Sequence, residues 1–271
     1  MPRSGRRPRD HPFLAGPGPL AVAHRGGDIG GGRENTMAAF QAAVDQGFRH
    51  LETDLHATRD GVLVAFHDET LDRATDHRGP IAATTAAELA RVRVAGRDPI
   101  PRFDELLTSF PHVSWNLDLK DDRVVAPFVR HVVRDPGLLA RCCVGSFDDA
   151  RLSGVRRAVG PALLTAAGPR EVRLVRLLSL AGPLTPAVPL RADCLQVPVR
   201  WGRWPVIDGP FLRTARRLGL PVHVWTINET EQMRRLLDLG VDGLVTDRTA
   251  TLRRVLLERR EREQGGAQEL R

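Results

Sequence analysis

The stretch His50–Thr70, HLETDLHATRDGVLVAFHDET, reads as a strand that runs out of a sheet, turns and comes back. On the apolar run 50–56, Glu52 and Asp54 stand two residues apart and project from one face. Asp60-Gly61 then signals a two-residue hairpin turn ahead of the alternating run Val62–Phe66. That turn makes Arg59 face Val62, and counting back puts His67 opposite Asp54, on the face of Glu52. Solvated residues on a surface hairpin are the alternative, but Leu51, Leu55 and Val64 bury the neighbourhood. Two carboxylates side by side in a half-buried place repel one another and need a cation or protons. An all-oxygen donor set favours Mg²⁺ or Ca²⁺ over zinc.

Outward from this hairpin the chain keeps alternating. Strand-like runs fall at 20–24, 50–56, 113–119, 142–146, 162–166, 194–199, 221–227 and 241–246, with helix-period stretches between most of them. Eight such strands predict a single-domain, TIM-type (β/α)₈ barrel, with a β-hairpin after strand 2 carrying site residues; a doubly wound sheet is the other arrangement this pattern allows. The domain is expected over 20–255, between a loose basic arm at 1–19 and a charged tail at 256–271, and the Pro-rich piece 182–189 reads as a long loop. Barrel logic puts functional side chains at the C-terminal ends of strands. SWNLDLK, residues 114–120, fits: Trp115, Leu117 and Leu119 lie on one face, Asn116, Asp118 and Lys120 on the other. Lys120 is the only lysine among forty basic residues, which suggests a place that needs a compact ammonium; a salt bridge to Asp118 or Asp121 is the plainer alternative.

Composition narrows the function. A net charge of +7 raises nucleic acid as a partner, but the arginines are scattered, their densest groups sit in the tails, and no aromatic residues are expected between them, so no nucleic acid is expected. No apolar run is long enough to span a bilayer, and the basic start lacks the apolar core of a secretory signal. Cys142, Cys143 and Cys194 have no metal-ligand spacing and read as buried small hydrophobes of a reduced, cytoplasmic chain.

These pieces, in this order, resemble the glycerophosphodiester phosphodiesterase family of metal-dependent phosphodiesterases. The resemblance rests on HRG at 24–26, ENT at 34–36, ETDLHATRDGVLVAFHDETLDRATD at 52–76, IPRFDELL at 100–107, NLDLK at 116–120, VWTIN at 224–228 and VDGLVTD at 241–247. It implies hydrolysis of a small-molecule glycerophosphodiester to glycerol 3-phosphate and an alcohol. It implies one divalent cation, Mg²⁺ or Ca²⁺, held by Glu52, Asp54 and Asp118. His24 and His67 match the acid–base pair, Arg25 and Lys120 the phosphate binders, and Trp225 an aromatic wall near the glycerol. A phospholipase D-like hydrolase of lysophospholipids and a catalytically silent binding barrel are the other readings; the second would be expected to lack a histidine or a carboxylate. The chain departs from the pattern where Asp118 replaces a usual glutamate, where Arg33 replaces a common proline in a longer loop, and where Arg248 replaces a proline after Asp247.

Other polar residues get local roles. Asn35 is expected to cap the first helix, with Glu34 orienting Arg25, and Asp247 to cap the last. His56 is a neighbour of the site, His11, His77, His112 and His131 are surface residues, and the GGDIGGG loop is flexible.

Overall fold

The apolar runs become eight parallel strands: β1 (Leu20–Ala23), β2 (His50–Ala57), β3 (Ser114–Leu119), β4 (Cys142–Gly145), β5 (Leu164–Thr165), β6 (Leu195–Pro198), β7 (Val222–Trp225) and β8 (Gly243–Thr246). The computed structural model describes residues 10–16, 18–180 and 190–269, with side chains through Gln264. Residues 1–9 and 17 of the expected arm, and the expected loop 182–189, lie outside the described residues. The strands pair in the order β5-β4-β3-β2-β1-β8-β7-β6. The two ends meet at one bridge, Ala166 to Cys194, flanked by Asp193 N donating to Thr165 O at 2.8 Å and Ala167 N to Cys194 O at 2.9 Å. The sheet is thus closed into the expected TIM-type barrel.

Helices between the strands form the outer layer. Their starts are written locally: Asp148 Oδ1 accepts from Ala150 N and Arg151 N, and Asp208 Oδ1 from Phe211 N. Gly240, left-handed at φ 86°, ends the helix Thr230–Leu239. The core lies between the two layers. Trp115 of β3 is fully buried edge-on to Phe40 (centroids 5.2 Å apart) and Phe110 (6.2 Å), beside Leu117 and Leu119. The other face of β3, Asn116, Asp118 and Lys120, opens on the interior cavity, as its alternation implies. The expected charged tail continues one helix, Thr249–Glu269. No helix among the described residues is long and apolar enough to cross a membrane.

The hairpin differs from its expected geometry by one residue. Its return strand, Leu63–Ala65, pairs Leu55 with Ala65 and Ala57 with Leu63, and Phe66 N donates to Asp54 O at 3.0 Å. The loop therefore has three residues, closed by Thr58 N on Val62 O, with Gly61 left-handed at φ 77°. The cause is local: Thr58 Oγ1 donates to Asp60 Oδ1 at 2.6 Å and accepts from Val62 N at 2.9 Å, which favours the wider turn. Beyond the hairpin the chain builds a second, smaller core from residues including Val64, Phe66, Leu71, Ile81, Leu89 and Ile100. This excursion carries His67 to the barrel mouth.

The described part of the N-terminal segment is not loose. Phe13 is 1% exposed, meets His50 edge-on at 4.9 Å, and packs with Cys143, Leu164, Ala166 and Cys194 across the floor of the barrel. His11, expected at the surface, is buried with it and accepts from Phe13 N through Nδ1 at 3.1 Å. Burying an aromatic ring outweighs the low order expected of a Pro/Gly/Arg-rich stretch. Phe13→Ala should destabilise the fold by about 3 kcal/mol. An unchanged denaturant midpoint would return residues 10–16 to the status of a loose arm.

Candidate active site

β1 ends in the sequence His24-Arg25-Gly26, a single helical turn in which Arg25 is left-handed at φ 51° and Gly26 at φ 86°. A Cβ on Gly26 would stand 2.8 Å from backbone atoms of Ala39 and Phe40, so only glycine fits against the first helix. This turn aims the backbone of Arg25 at the site: its N donates to Glu52 Oε2 at 3.0 Å. The side chain bends back to Asp54 (Nε to Oδ2, 3.3 Å) and Glu34 (Nη1 to Oε1, 3.1 Å), the second as expected. Arg25 Nε is buried and lacks a hydrogen-bond partner of good geometry.

Register builds the acidic cluster. The parallel pairing of β2 with β3 puts Glu52 beside Asn116 and Asp54 beside Asp118. Lys120 Nζ bridges the second pair, 2.9 Å from Asp54 Oδ1 and 2.8 Å from Asp118 Oδ2. The lysine thus makes the expected ion pair with Asp118 and a second with Asp54, while lining the cavity. Burial pushes the Glu52 carboxyl up to about 7, helped by Asp54 and opposed by His24 and Arg25. Burial would also raise Asp54, but Lys120 and Arg25 outweigh it and hold that carboxyl below its ordinary range. At Asp118 burial wins and the value rises. Among the described residues, no three His, Cys, Asp or Glu side chains stand close enough, as placed, to hold a metal ion.

The two histidines have matching partners. His24 Nδ1 lies 2.6 Å from Asp247 Oδ1, and His67 Nδ1 lies 2.6 Å from Asp68 Oδ1. Each carboxylate is itself held. Asn228 Nδ2 donates to Asp247 Oδ2 at 2.8 Å, and Arg73 donates to both oxygens of Asp68 and to Glu34 Oε1. A carboxylate on Nδ1 fixes the Nδ1–H tautomer and leaves Nε2 toward the cavity. Burial alone would lower His24, but Glu52 and the Asp247 hydrogen bond overcome it and raise the imidazole above 6.5.

Asp247 is therefore not the helix cap expected of it. Asn35 is not one either: Thr36 Oγ1 caps the first helix through Ala39 N at 3.2 Å. Asn35, left-handed at φ 55°, instead donates to Asp54 Oδ2 at 3.0 Å and accepts from Thr53 Oγ1 at 2.8 Å. His56 does more than adjoin the site. Its Nε2 is 3.2 Å from the His67 carbonyl and its Nδ1 3.2 Å from Asp121 Oδ2, so it ties the return of the hairpin to the segment just after β3. Asp68 had one legible signal, its place next to His67; Asp247 had another, its place just past β8. The departures at Arg33 and Arg248 each gain a partner: Arg33 Nη2 donates to Asp98 Oδ1 at 3.0 Å, and Arg248 Nη1 is 3.3 Å from Asp28 Oδ2. Both contacts fasten the glycine-rich loop expected to be flexible.

These side chains line one cavity of about 220 Å³ at the C-terminal ends of the strands, containing His24, Arg25, Glu52, Asp54, His67, Asp118, Lys120 and Trp225. Trp225 meets Phe147 edge-on at 5.7 Å, and Lys120 Nζ sits 5.8 Å from the Phe147 ring. His223, on the same strand as Trp225, faces the buried floor of the barrel.

A closed barrel with two carboxylate-backed imidazoles, an acidic cluster and two cations at its mouth defines a hydrolase of an anionic substrate. Residues 24–251 match the glycerophosphoryl diester phosphodiesterase family, and the chain belongs to that family as a phosphoric diester hydrolase. It is 34% identical over 251 residues to the protein of Mycobacterium tuberculosis named probable glycerophosphodiester phosphodiesterase 2, covering 92% of this chain and 95% of that one. It is 28% identical to human lysophospholipase D GDPD1, covering 86% and 84% of the two chains. Its fold matches a phosphodiesterase of Oleispira antarctica solved with its product sn-glycerol-3-phosphate, with a TM-score of 0.71 at 22% identity, covering 88% and 97%.

The Asp68–Arg73 pair gives a measurable pH dependence. The Arg73 hydrogen bonds, opposed by partial burial and helped by His67, pull Asp68 from 3.8 down to about 2. A depressed acid stabilises the fold fully above its unfolded value and loses that contribution as pH falls from about 4 toward about 2. Arg73→Ala should flatten the acid limb of stability in that window. An identical acid limb in the variant would show that the pair does not hold the excursion.

Proposed function

We propose that this enzyme hydrolyses a glycerophosphodiester to glycerol 3-phosphate and an alcohol, using His24 and His67 for proton transfer and one bound Mg²⁺ or Ca²⁺. The observation that carries this reading is the pair of imidazoles, each with Nδ1 2.6 Å from a carboxylate, on the cavity that also holds Arg25 and Lys120. Hydrolysis of a diester needs one group to take a proton from the nucleophile and another to give one to the leaving alcohol. Two imidazoles with Nε2 toward the substrate suit those tasks, and Asp247 and Asp68 keep each ring in the required tautomer. Arg25, anchored to Asp54 and Glu34 on the cavity wall, offers its guanidinium to a phosphoryl oxygen. Lys120 offsets the remaining negative charge, and Trp225 walls the glycerol side.

The donor set fits a hard cation. Glu52, Asp54 and Asp118, which do not converge as placed, would hold the ion through oxygens alone. When bound, the cation supplies Lewis-acid polarisation of a phosphoryl oxygen. The product seen with the Oleispira enzyme supports the same product class here. A second reading, an acyl-bearing lysophospholipid as the diester, is favoured by one wall of the cavity, where Ala167, Pro169, Val172, Pro198 and Trp201 are apolar. The human relative's name points the same way.

Release of glycerol 3-phosphate should stop in excess EDTA and return with Mg²⁺ or Ca²⁺; full turnover in chelator would remove the cation from the mechanism. Asp54→Asn should lose metal affinity, whereas Asp118→Glu should keep it. His24→Ala and His67→Ala should each cut kcat by about 10² to 10⁴ and each remove one limb of a bell-shaped pH profile. Asp247→Asn permits the wrong His24 tautomer and should cost about 10- to 100-fold in kcat with little change in KM. Lys120→Arg should be impaired, since a planar fork cannot replace a point charge between two carboxylates. Wild-type rates in either histidine variant would overturn the proton-transfer assignment.

A further inference from the structure

After β6 the chain makes a short antiparallel hairpin, Arg200–Trp201 against Trp204–Pro205, with Trp201 facing Trp204 and Gly202 turning at φ 56°. All six residues are exposed; Trp204 is 79% and Trp201 48% accessible. The expectation that aromatic and basic residues do not interleave fails here, in Arg200-Trp201-Gly202-Arg203-Trp204. Two indoles held side by side in solvent contribute nothing to the core, and exposed apolar surface of this kind marks an interaction site.

The hairpin is part of a larger patch. Trp201 carries the guanidinium of Arg173 5.3 Å from its ring centre. On the same helix, Pro169–Leu180, Leu177 and Leu180 follow Arg173 at helical spacing and are 64% and 68% exposed. Arg173, Arg200 and Arg203 have no carboxylate partner among the described residues. The Arg173–Trp201 contact joins the hairpin to this exposed helix face, and Trp201 also lines the catalytic cavity.

We propose that this hairpin and the exposed face of the adjoining helix dock the enzyme on a lipid surface bearing anionic headgroups, beside the mouth of the cavity. Charge complementarity selects the partner: guanidiniums that no carboxylate offsets meet anionic headgroups, while indole rings settle at the boundary between headgroups and acyl chains. Leu177 and Leu180 favour lipid over nucleic acid, because aliphatic side chains insert among acyl chains but give bases no face on which to stack. A diesterase docked in this way receives substrate where glycerophospholipids are broken down.

The test is sedimentation of the full chain with vesicles of phosphatidylcholine, with and without phosphatidylglycerol, at low and high salt. Binding should require phosphatidylglycerol and weaken with salt. Arg203→Glu with Trp204→Ala should lower the vesicle partition coefficient by more than about fivefold. Turnover of a soluble glycerophosphodiester should stay unchanged, which also reports that the variant is folded. No binding to phosphatidylglycerol vesicles at low salt, or equal binding by the variant, overturns the proposal. So does a single-stranded oligothymidylate that binds the wild type, loses the variant and is not displaced by vesicles. Vesicle binding is read without turnover, so its failure leaves the catalytic assignment standing.

Discussion

Asp54 and Asp118 lie side by side because β2 and β3 pair in one particular parallel register, and Lys120 closes the pair from above. Buried like charges tolerate each other only when cations or protons offset them, so this arrangement constrains everything around it. A shift of β3 by one residue would turn Asp118 and Lys120 into the apolar layer and Leu117 and Leu119 into the cavity. Arg25 must take a left-handed backbone to present both its N–H and its side chain to Glu52 and Asp54. Asn35 must give up the helix cap to Thr36 in order to reach Asp54. Local preferences yield because unpaired buried charge costs more than a strained turn.

The two histidines reach the cavity by different routes. His24 stands at the end of β1, on the barrel itself, with its carboxylate supplied by β8 and steadied by Asn228 of the segment after β7. His67 stands on the excursion, which folds around its own small core and is tied back through His56, Asp121 and Arg73. The first imidazole is well buried beside Glu52; the second is more open and braced by an exposed arginine. Chemically alike groups thus sit in different surroundings. The Arg73 contact with both Asp68 and Glu34 joins the two halves, since Glu34 also holds Arg25.

The barrel floor and mouth divide structural from chemical work. Below, Phe13, Cys143, Cys194 and His223 fill the interior, Cys142 packs in the outer core, and all three cysteines are buried without a disulfide as their scarcity implies. Above, polar residues gather on the β1–β3 side, and Trp225, Phe147 and Trp201 line the other side with aromatic rings. This division sets an anionic centre beside an apolar wall.

Periodicity and local chemistry were sufficient for much of this. Eight apolar runs implied the barrel, the alternation in SWNLDLK separated the core face of β3 from its cavity face, and the spacing of Glu52 and Asp54 placed both on one side. Turn details failed where a side chain intervened: the hydroxyl of Thr58 widened the hairpin loop and shifted its register by one. Partners distant in sequence were not legible, because Asp247 finds His24, Asn35 finds Asp54 and Phe13 finds the barrel floor only once the strands close. A strand's own alternation states which face is buried. Which buried groups meet depends on register and closure, and those are decided by packing and charge over the whole barrel.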